Sequence, residues 1–537
     1  MPYLDFLKKN YVVLFIFFIL IFIIYGQSLS GDFVFDDRNI IEHLPVLSDL
    51  KNIDQVALHP FWIVENGLYR PTTLLSYSLN IALLSASPFS FHLVNLLLYT
   101  FICFLIYLII KKLFRDEILA FISALLFLVL PIHTEVVANI SGRGELLALM
   151  FSLLFIWELL KDKINFYLLG IWVLLAVGSK EIAIAILPIA LLILYIKEKR
   201  IDLEILKKYF REISISLIAI YFYFFLRFFS LGINVVPTIK TSLIENPLLF
   251  TDATSRIATA FKILWLYFSK TFWPVNLCSD YSYNQIPIIS SFLNLEVVLG
   301  IALLLSALVL SIYYLKKKPL ISLGLSIFIF PFLIISNIFF PIGTIAGERL
   351  FFFSSLGLSL IAGFLIYSIF SRLKNKNLKL LWLLILVLGL IFYASVSLKR
   401  QSVWLSEENL FLSAGQCAPN SVLSRSNAGA IYLIKGDLAK AEEELQIARA
   451  IKPIYSKGLN NLGLLYHKQG ETEKARELYL EAIKQDFPYG GAFENLIILY
   501  LNEGKIDLAR HWLTSLYPNN SILVEAIIKN YLEGINR

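Results

Sequence analysis

Apolar runs punctuate the first 398 residues of this chain, each long enough or nearly long enough to cross about 30 Å of hydrocarbon, which takes roughly 20 helical residues. They fall near 11–28, 91–110, 117–131, 145–160, 164–178, 181–196, 212–231, 293–315, 320–337, 348–370 and 378–397. With 58% hydrophobic residues and only 16% charged, against roughly 45–50% and about 25% in a soluble domain, the chain reads as a polytopic membrane protein. The first run follows Lys8 and Lys9 as a secretory signal would, but no small-residue cleavage site comes after it, so it is read as a retained helix. Three cysteines, Cys103, Cys278 and Cys417, are too few to staple a disulfide scaffold of this length.

The net charge of +7 lies entirely in residues 1–398, which carry 31 Lys and Arg against 24 Asp and Glu; residues 399–537 carry 16 of each. This shift marks a domain boundary and excludes a nucleic-acid partner, since the excess follows the spans. Positively charged loops resist translocation. With the N-terminus inside, the cytoplasmic loops hold Lys8/Lys9, Lys111/Lys112/Arg115, Lys161/Lys163, the cluster from Lys197 to Arg211, Lys316–Lys318 and Arg372–Lys379. Loops 29–90 and 232–292 and the tail after 397 then face outward. The segment 256–274 contains Arg256, Lys262 and Lys270 and is read as an amphipathic helix on the membrane surface.

The tail repeats every 34 residues. Asn427-Ala-Gly-Ala-Ile-Tyr432, Asn461-Leu-Gly-Leu-Leu-Tyr466 and Asn495-Leu-Ile-Ile-Leu-Tyr500 are each followed by a glycine, Gly436, Gly470 and Gly504. Ala441, Ala475 and Ala509 open the second helix of each unit, and Pro419, Pro453, Pro488 and Pro518 mark the joints. This resembles three tetratricopeptide repeats, helix-turn-helix units stacked into a solenoid. The concave face of such an array usually binds peptide; a stabilising cap is the plain alternative.

Chemistry is expected where polar residues sit at the outward ends of spans. The first outward loop opens Gly31-Asp-Phe-Val-Phe-Asp36-Asp37-Arg38. Flanking Phe33, Val34 and Phe35 suggest packing against the membrane surface, where a carboxylate is placed to accept a proton from a hydroxyl. Adjacent acids point in different directions, so one serves as base while the other orients it or holds a cation. Arg70, Arg143, Lys180 and Arg349 are the candidate cations for a lipid phosphate; the plain alternative is local pairing, as in Lys180-Glu181 and Glu348-Arg349. His133 and Glu135 fall on different faces of a helix and make a weak metal pair, so no metal site is assigned, although a divalent cation is compatible with the acids. His92 and Asn95, three apart on a helix, read as packing or interface contacts, and Asp280 lies in Cys278-Ser-Asp-Tyr-Ser. No Walker loop, dinucleotide fingerprint or zinc-type cysteine spacing occurs.

The ordered series Gly31-Asp-Phe-Val-Phe-Asp-Asp, Tyr69-Arg-Pro, Pro88-Phe-Ser-Phe-His-Leu-Val-Asn, His133-Thr-Glu, Gly142-Arg-Gly-Glu, Lys180-Glu, Cys278-Ser-Asp-Tyr-Ser and Glu348-Arg, followed by the repeats, resembles the transmembrane and tetratricopeptide repeat-containing O-mannosyltransferases, the TMTC family of GT-C membrane glycosyltransferases. The resemblance implies an all-α fold: a GT-C-like bundle of about 11 spans over 1–398, followed over 399–537 by a soluble repeat α-solenoid. It implies transfer of a sugar from a polyprenyl-phosphate carrier to a protein hydroxyl on the extracytoplasmic face, with no covalent nucleophile and with inversion of the anomeric centre. In this family class an acid of the first external loop serves the acceptor, which maps to Asp36 or Asp37; Asp36 is taken as base with Asp37 as helper, or the reverse. Arg349, Lys180, Arg143 and Arg70, in that order, become the carrier-phosphate ligands, with Glu348, His133, Glu135, His92 and Asp280 as further site candidates. The membrane is that of a bacterial cell, and the repeats bind the protein acceptor. The short array sets this chain apart from the animal members and leaves acceptor choice open, a glycan included. The competing classes are a non-catalytic membrane scaffold carrying the repeats, which makes the two acids dispensable, and a flippase, for which no inverted repeat or mid-span carboxylate is evident.

Overall fold

The computed structural model of the chain describes residues 2–62, 68–200, 202–232, 242–485 and 490–535. All regular elements among them are helical. The chain divides into two units, 1–279 with 288–410, and 280–287 with 411–537.

In the first unit each apolar run folds as a helix: Pro2–Tyr25, Pro88–Phe114, Glu117–Val129, Arg143–Leu159, Phe166–Ser179, Ile186–Glu198, Phe210–Leu231, Leu295–Tyr314, Pro319–Ile335, Phe352–Arg372 and Lys376–Gln401. Seven helical stretches among the described residues are long and apolar enough to cross a membrane. An eighth is reached if Glu117–Val129 and Pro131–Ala138, bent by 56°, count as one broken span. Short length and breaks account for the difference from the number of apolar runs: Phe166–Ser179 and Pro319–Ile335 are shorter apolar helices. Pro131 has no N–H to continue the ladder, and the run 181–196 opens with the 3-10 turn Glu181–Ala185 before Ile186–Glu198. The irregular backbone from Pro131 to Gly142 is buried throughout, as non-helical chain at membrane depth must be.

Pro88–Phe114 and Arg143–Leu159 are the buried centre of this unit. Lys376–Gln401 turns Leu380, Leu381, Leu384, Leu388 and Ile391 outward, and Phe210–Leu231 does so with Leu217, Ile218, Tyr221 and Phe225. Such rows suit lipid, and with the span-grade helices they make this an integral membrane protein. Pro319–Ile335 and Phe352–Arg372 touch backbone to backbone: a Cβ on Gly357 would lie 2.1 Å from the Gly324 carbonyl oxygen, the close approach that small residues permit between membrane helices. Ala253–Phe272 is one 20-residue helix with Ala258, Thr259, Ile263, Leu264 and Tyr267 buried. Its Arg256, Lys262 and Lys270 keep it out of the span-grade set.

In the second unit three helix pairs carry the repeat: Val422–Lys435 with Leu438–Ile451, Ser456–Lys468 with Thr472–Gln485, and Gly490–Asn502 with Ile506–Leu516; Ser521–Ile535 follows. Gly436, Gly470 and Gly504 adopt φ of +76°, +82° and +71°, the left-handed region where a side chain is strained. Ala441, Ala475 and Ala509 are fully buried beside Leu445, Leu462, Tyr479, Leu496 and Leu513. Pro488 lies outside the described residues.

Candidate functional site

The loop that follows the first apolar helix is packed on protein at Phe33 and Val34. Phe33 and Val34 are buried, Phe33 meeting Phe91 at 5.6 Å between ring centroids, whereas Phe35 is exposed and has φ +49°. A bulky residue at positive φ is a genuine outlier, and this one reverses the chain just before the two acids. They diverge as a result. Asp37 is fully buried, and its carboxylate accepts from the Ser141 N–H at 2.8 Å and the Val34 N–H at 3.2 Å. Asp36 turns instead toward Arg349, whose Nη1 lies 3.3 Å from its Oδ2. Its side chain keeps 11% exposure and that of Arg349 32%.

Both acids resist ionisation. Burial pushes Asp37 up to about 7, against the pull of the Val34 and Ser141 amides. It pushes Asp36 above the usual carboxylate range too, opposed by the Arg349 guanidinium. Asp36 is therefore the more accessible acid and has a cation at hand; Asp37 ties the loop to the turn Ile140–Gly142.

Glu135 holds Arg349 from behind. Its Oε2 accepts the Arg349 backbone N–H at 3.0 Å and its Oε1 lies 3.6 Å from Nε. The bend at Pro131 gives Glu135 this position, since the short helix Thr134–Ala138 is turned away from the preceding span. Lys180 pairs with Glu145, both nearly buried, and Arg70 pairs with Glu181 at 3.4 Å while stacking on Phe61. Glu181 also takes Arg227 at 3.0 Å. The fields of Arg70 and Glu145 reach Asp36, so these pairs form one electrostatic neighbourhood around the Asp36–Arg349 contact. Lys180 is thus paired with Glu145 rather than with its neighbour Glu181.

Arg143, expected among the phosphate-facing cations, is fully buried. Its guanidinium donates to Asn95 Oδ1 at 2.9 Å, Asn80 Oδ1 at 3.0 Å and the Phe91 carbonyl at 2.9 Å, and it lies over the rings of Tyr77 and Phe91. With its donors engaged this way it clamps Pro88–Phe114 to Pro71–Leu83. His133 is also internal: its ring meets the Tyr99 hydroxyl at 2.8 Å and Ser355 Oγ at 2.7 Å, while Glu135 leaves in another direction toward Arg349. His92 is fully buried under Gly31, where a Cβ would lie 3.1 Å from its Nε2. Glu348 is buried and accepts the Cys278 N–H at 2.6 Å. Asp280 belongs to the second unit, accepting from Ser421 Oγ and Ser424 Oγ, both at 2.6 Å. No group of three or more His, Cys, Asp or Glu among the described residues is arranged to hold a metal ion.

Glu145 and Glu181, which pair with Lys180, Arg70 and Arg227, were legible in the sequence only as parts of motifs. The available signal was an acid at the boundary of an apolar run, where burial without a cation partner is costly.

Comparison with known proteins bears on the chain as a whole. Residues 237–308 match the family model described as protein O-mannosyl-transferase TMTC, DUF1736, and residues 456–487 match the tetratricopeptide repeat. Protein O-mannosyl-transferase F38B6.6 of Caenorhabditis elegans is 29% identical over 446 residues, covering 81% of this chain and 62% of that protein. Protein O-mannosyl-transferase TMTC4 of Homo sapiens is 28% identical, over 78% of this chain and 63% of its own length. Protein O-mannosyl-transferase TMTC3 of Mus musculus is 26% identical, over 80% and 50%. The chain thus spans between half and two thirds of the length of these relatives. The likeness carried by the ordered motifs is borne out: over most of its length this chain resembles the TMTC protein O-mannosyl-transferases.

Proposed function

We propose that this protein is a membrane glycosyltransferase that moves mannose from a polyprenyl-phosphate carrier to a Ser or Thr hydroxyl of a protein. The observation that carries the reading is the Asp36–Arg349 contact at 3.3 Å, partly open, within a neighbourhood of buried ion pairs. Such a site offers a base beside a cation. The acceptor hydroxyl attacks the anomeric carbon as Asp36 takes its proton; the bond between that carbon and the phosphate oxygen breaks, and polyprenyl phosphate leaves as an anion. Arg349, the most exposed of these cations, receives the phosphate first, with Lys180 and Arg70 lending their fields once the phosphate competes with Glu145 and Glu181. Asp37 and Arg143 act as positioning residues, the one fixing the loop and the other the helices behind it.

The same reading places the membrane unit in a bacterial inner membrane, with the Asp36 end of the helices and the repeats extracytoplasmic. Support comes from Cys278, which is disulfide-bonded and so suits an oxidising compartment, and from the basic residues gathered at the other ends of the spans. The repeats would present the acceptor polypeptide, the use to which their stacked helices are suited.

The test is transfer from radiolabelled polyprenyl-phosphate mannose to a Ser/Thr-containing polypeptide by purified protein. Wild type is expected to transfer and Asp36→Asn to bind donor without transferring. Equal transfer by both would show that Asp36 is not the base, and absence of transfer by wild type would favour a non-catalytic scaffold that presents the repeats.

A further inference from the structure

The helix Pro88–Phe114 has its N-terminal end in the candidate site, where Phe91 and Asn95 accept from Arg143. At 1.5 Å per residue its 27 residues reach about 40 Å, a full membrane thickness away. At that far end an open cavity of about 580 Å³ is lined by Leu108, Lys111, Lys112, Arg115, Glu117 and Trp157. The volume lies in the usual range for small-molecule sites, roughly 300–1,000 Å³.

The charges around it are unequal in their freedom. Lys111 is engaged, its Nζ lying 2.6 Å from Glu117 Oε1 and 2.9 Å from Asn10 Oδ1. Asp116 is engaged as a helix cap, accepting the Leu119 N–H at 2.9 Å, and Glu158 pairs with Lys161 at 2.5 Å. Lys112 stacks over the Trp157 ring at 4.9 Å; among the described residues neither it nor Arg115 has a carboxylate within ion-pair distance. Both are exposed. Arg115 ends the helix at φ +55°, a cap position that glycine or asparagine fills at lower cost. Arg115 and Lys112 thus stand together at the end of the helix, and Leu108 and Trp157 supply an apolar wall beside them.

The geometry points to a binding site for an anionic phospholipid headgroup formed by Lys112, Arg115 and Trp157, at the membrane border opposite the candidate active site. A phosphodiester lipid fits on three counts. The site lies where a span meets its headgroup layer, the two free cations complement one or two negative charges, and the aromatic-lined wall accommodates glycerol and the first methylenes. This site does not depend on the transferase reading.

The test uses full-length protein, delipidated in neutral detergent, titrated with phosphatidylglycerol or phosphatidylcholine, and read by native mass spectrometry. Wild type is expected to retain phosphatidylglycerol about 30-fold more strongly, the scale of two cations near a headgroup. In the Lys112→Gln/Arg115→Gln variant the two lipids should bind alike, with Lys374→Gln/Lys376→Gln, which alters exposed cations elsewhere, behaving as wild type. Equal binding of the two lipids by wild type overturns the site without reference to any variant. Displacement of phosphatidylglycerol by millimolar glycerol phosphate, equally strong with short-chain and long-chain lipid, overturns the lipid assignment in favour of a soluble phosphate.

Discussion

Asp36 and Arg349 meet at 3.3 Å across 313 residues of sequence, and Asp37, the very next residue, makes no part of that contact. One residue with positive φ, Phe35, separates the roles of two chemically identical neighbours. The first prediction follows from that separation. Asp36→Asn should lower transfer by about 100-fold or more, the scale of losing a general base, and leave the melting temperature within about 1–2 °C of wild type. Asp37→Ala should instead lower stability by about 1–3 kcal/mol, since it strands the Ser141 and Val34 amides. Thermal unfolding alongside single-turnover transfer separates the two; equal loss of stability in both variants would remove the distinction.

The acid limb of the pH profile offers a second check. A base works only when ionised, and Asp36 is pushed above its ordinary value of 3.8 by burial. Transfer should therefore fall as pH drops through a midpoint higher than that of a free aspartate. Arg349→Gln removes the guanidinium that opposes the shift, so the midpoint should move further upward while donor KM rises. A midpoint that stays put or falls in Arg349→Gln would show that another group sets the limb.

Arg143 and Arg349 should behave differently despite both being arginines near the same helix ends. Arg143→Lys cannot reproduce the fork that reaches Asn95, Asn80 and Phe91. It is expected to lower the melting temperature and the yield of monodisperse protein, with donor KM unchanged in what folds. Donor titrations of the folded fraction decide this; a raised donor KM at wild-type stability would return Arg143 to the phosphate site.

Lys180 and Glu145 form a nearly buried pair, with side-chain exposures of 8% and 7%. Removing one partner strands a charge, at a cost of about 3–5 kcal/mol. Lys180→Met should therefore be strongly destabilised, and Lys180→Met/Glu145→Gln should recover stability without recovering wild-type donor affinity. A double-mutant cycle on melting temperature and donor binding reads both effects.

Orientation is accessible through the repeats. A cysteine at Ile454, which is 50% exposed, should react with an impermeant maleimide on intact spheroplasts. Reaction only after lysis would place the repeats on the cytoplasmic side and away from exported acceptors.

Much of the architecture was legible because its signals are local. Hydropathy over about 20 residues marks a span wherever the chain goes afterwards, and a 34-residue period marks the repeats whose glycines adopt the left-handed turn. The ordered motifs carried the TMTC likeness, and they contain most of the cations and acids of the candidate site. The partners of those groups were another matter. Lys180 finds Glu145 rather than its neighbour Glu181, and Glu181 turns to Arg70, 111 residues away, and to Arg227. Sequence alone therefore determined that the chain is helical throughout, that a 34-residue repeat follows the apolar runs, and which ionisable residues lie at helix ends. Only the tertiary structure decided which acid faces a cation and which cation is already engaged, because buried charges choose partners by distance and burial across the packed bundle, and neither quantity is written in the order of the residues.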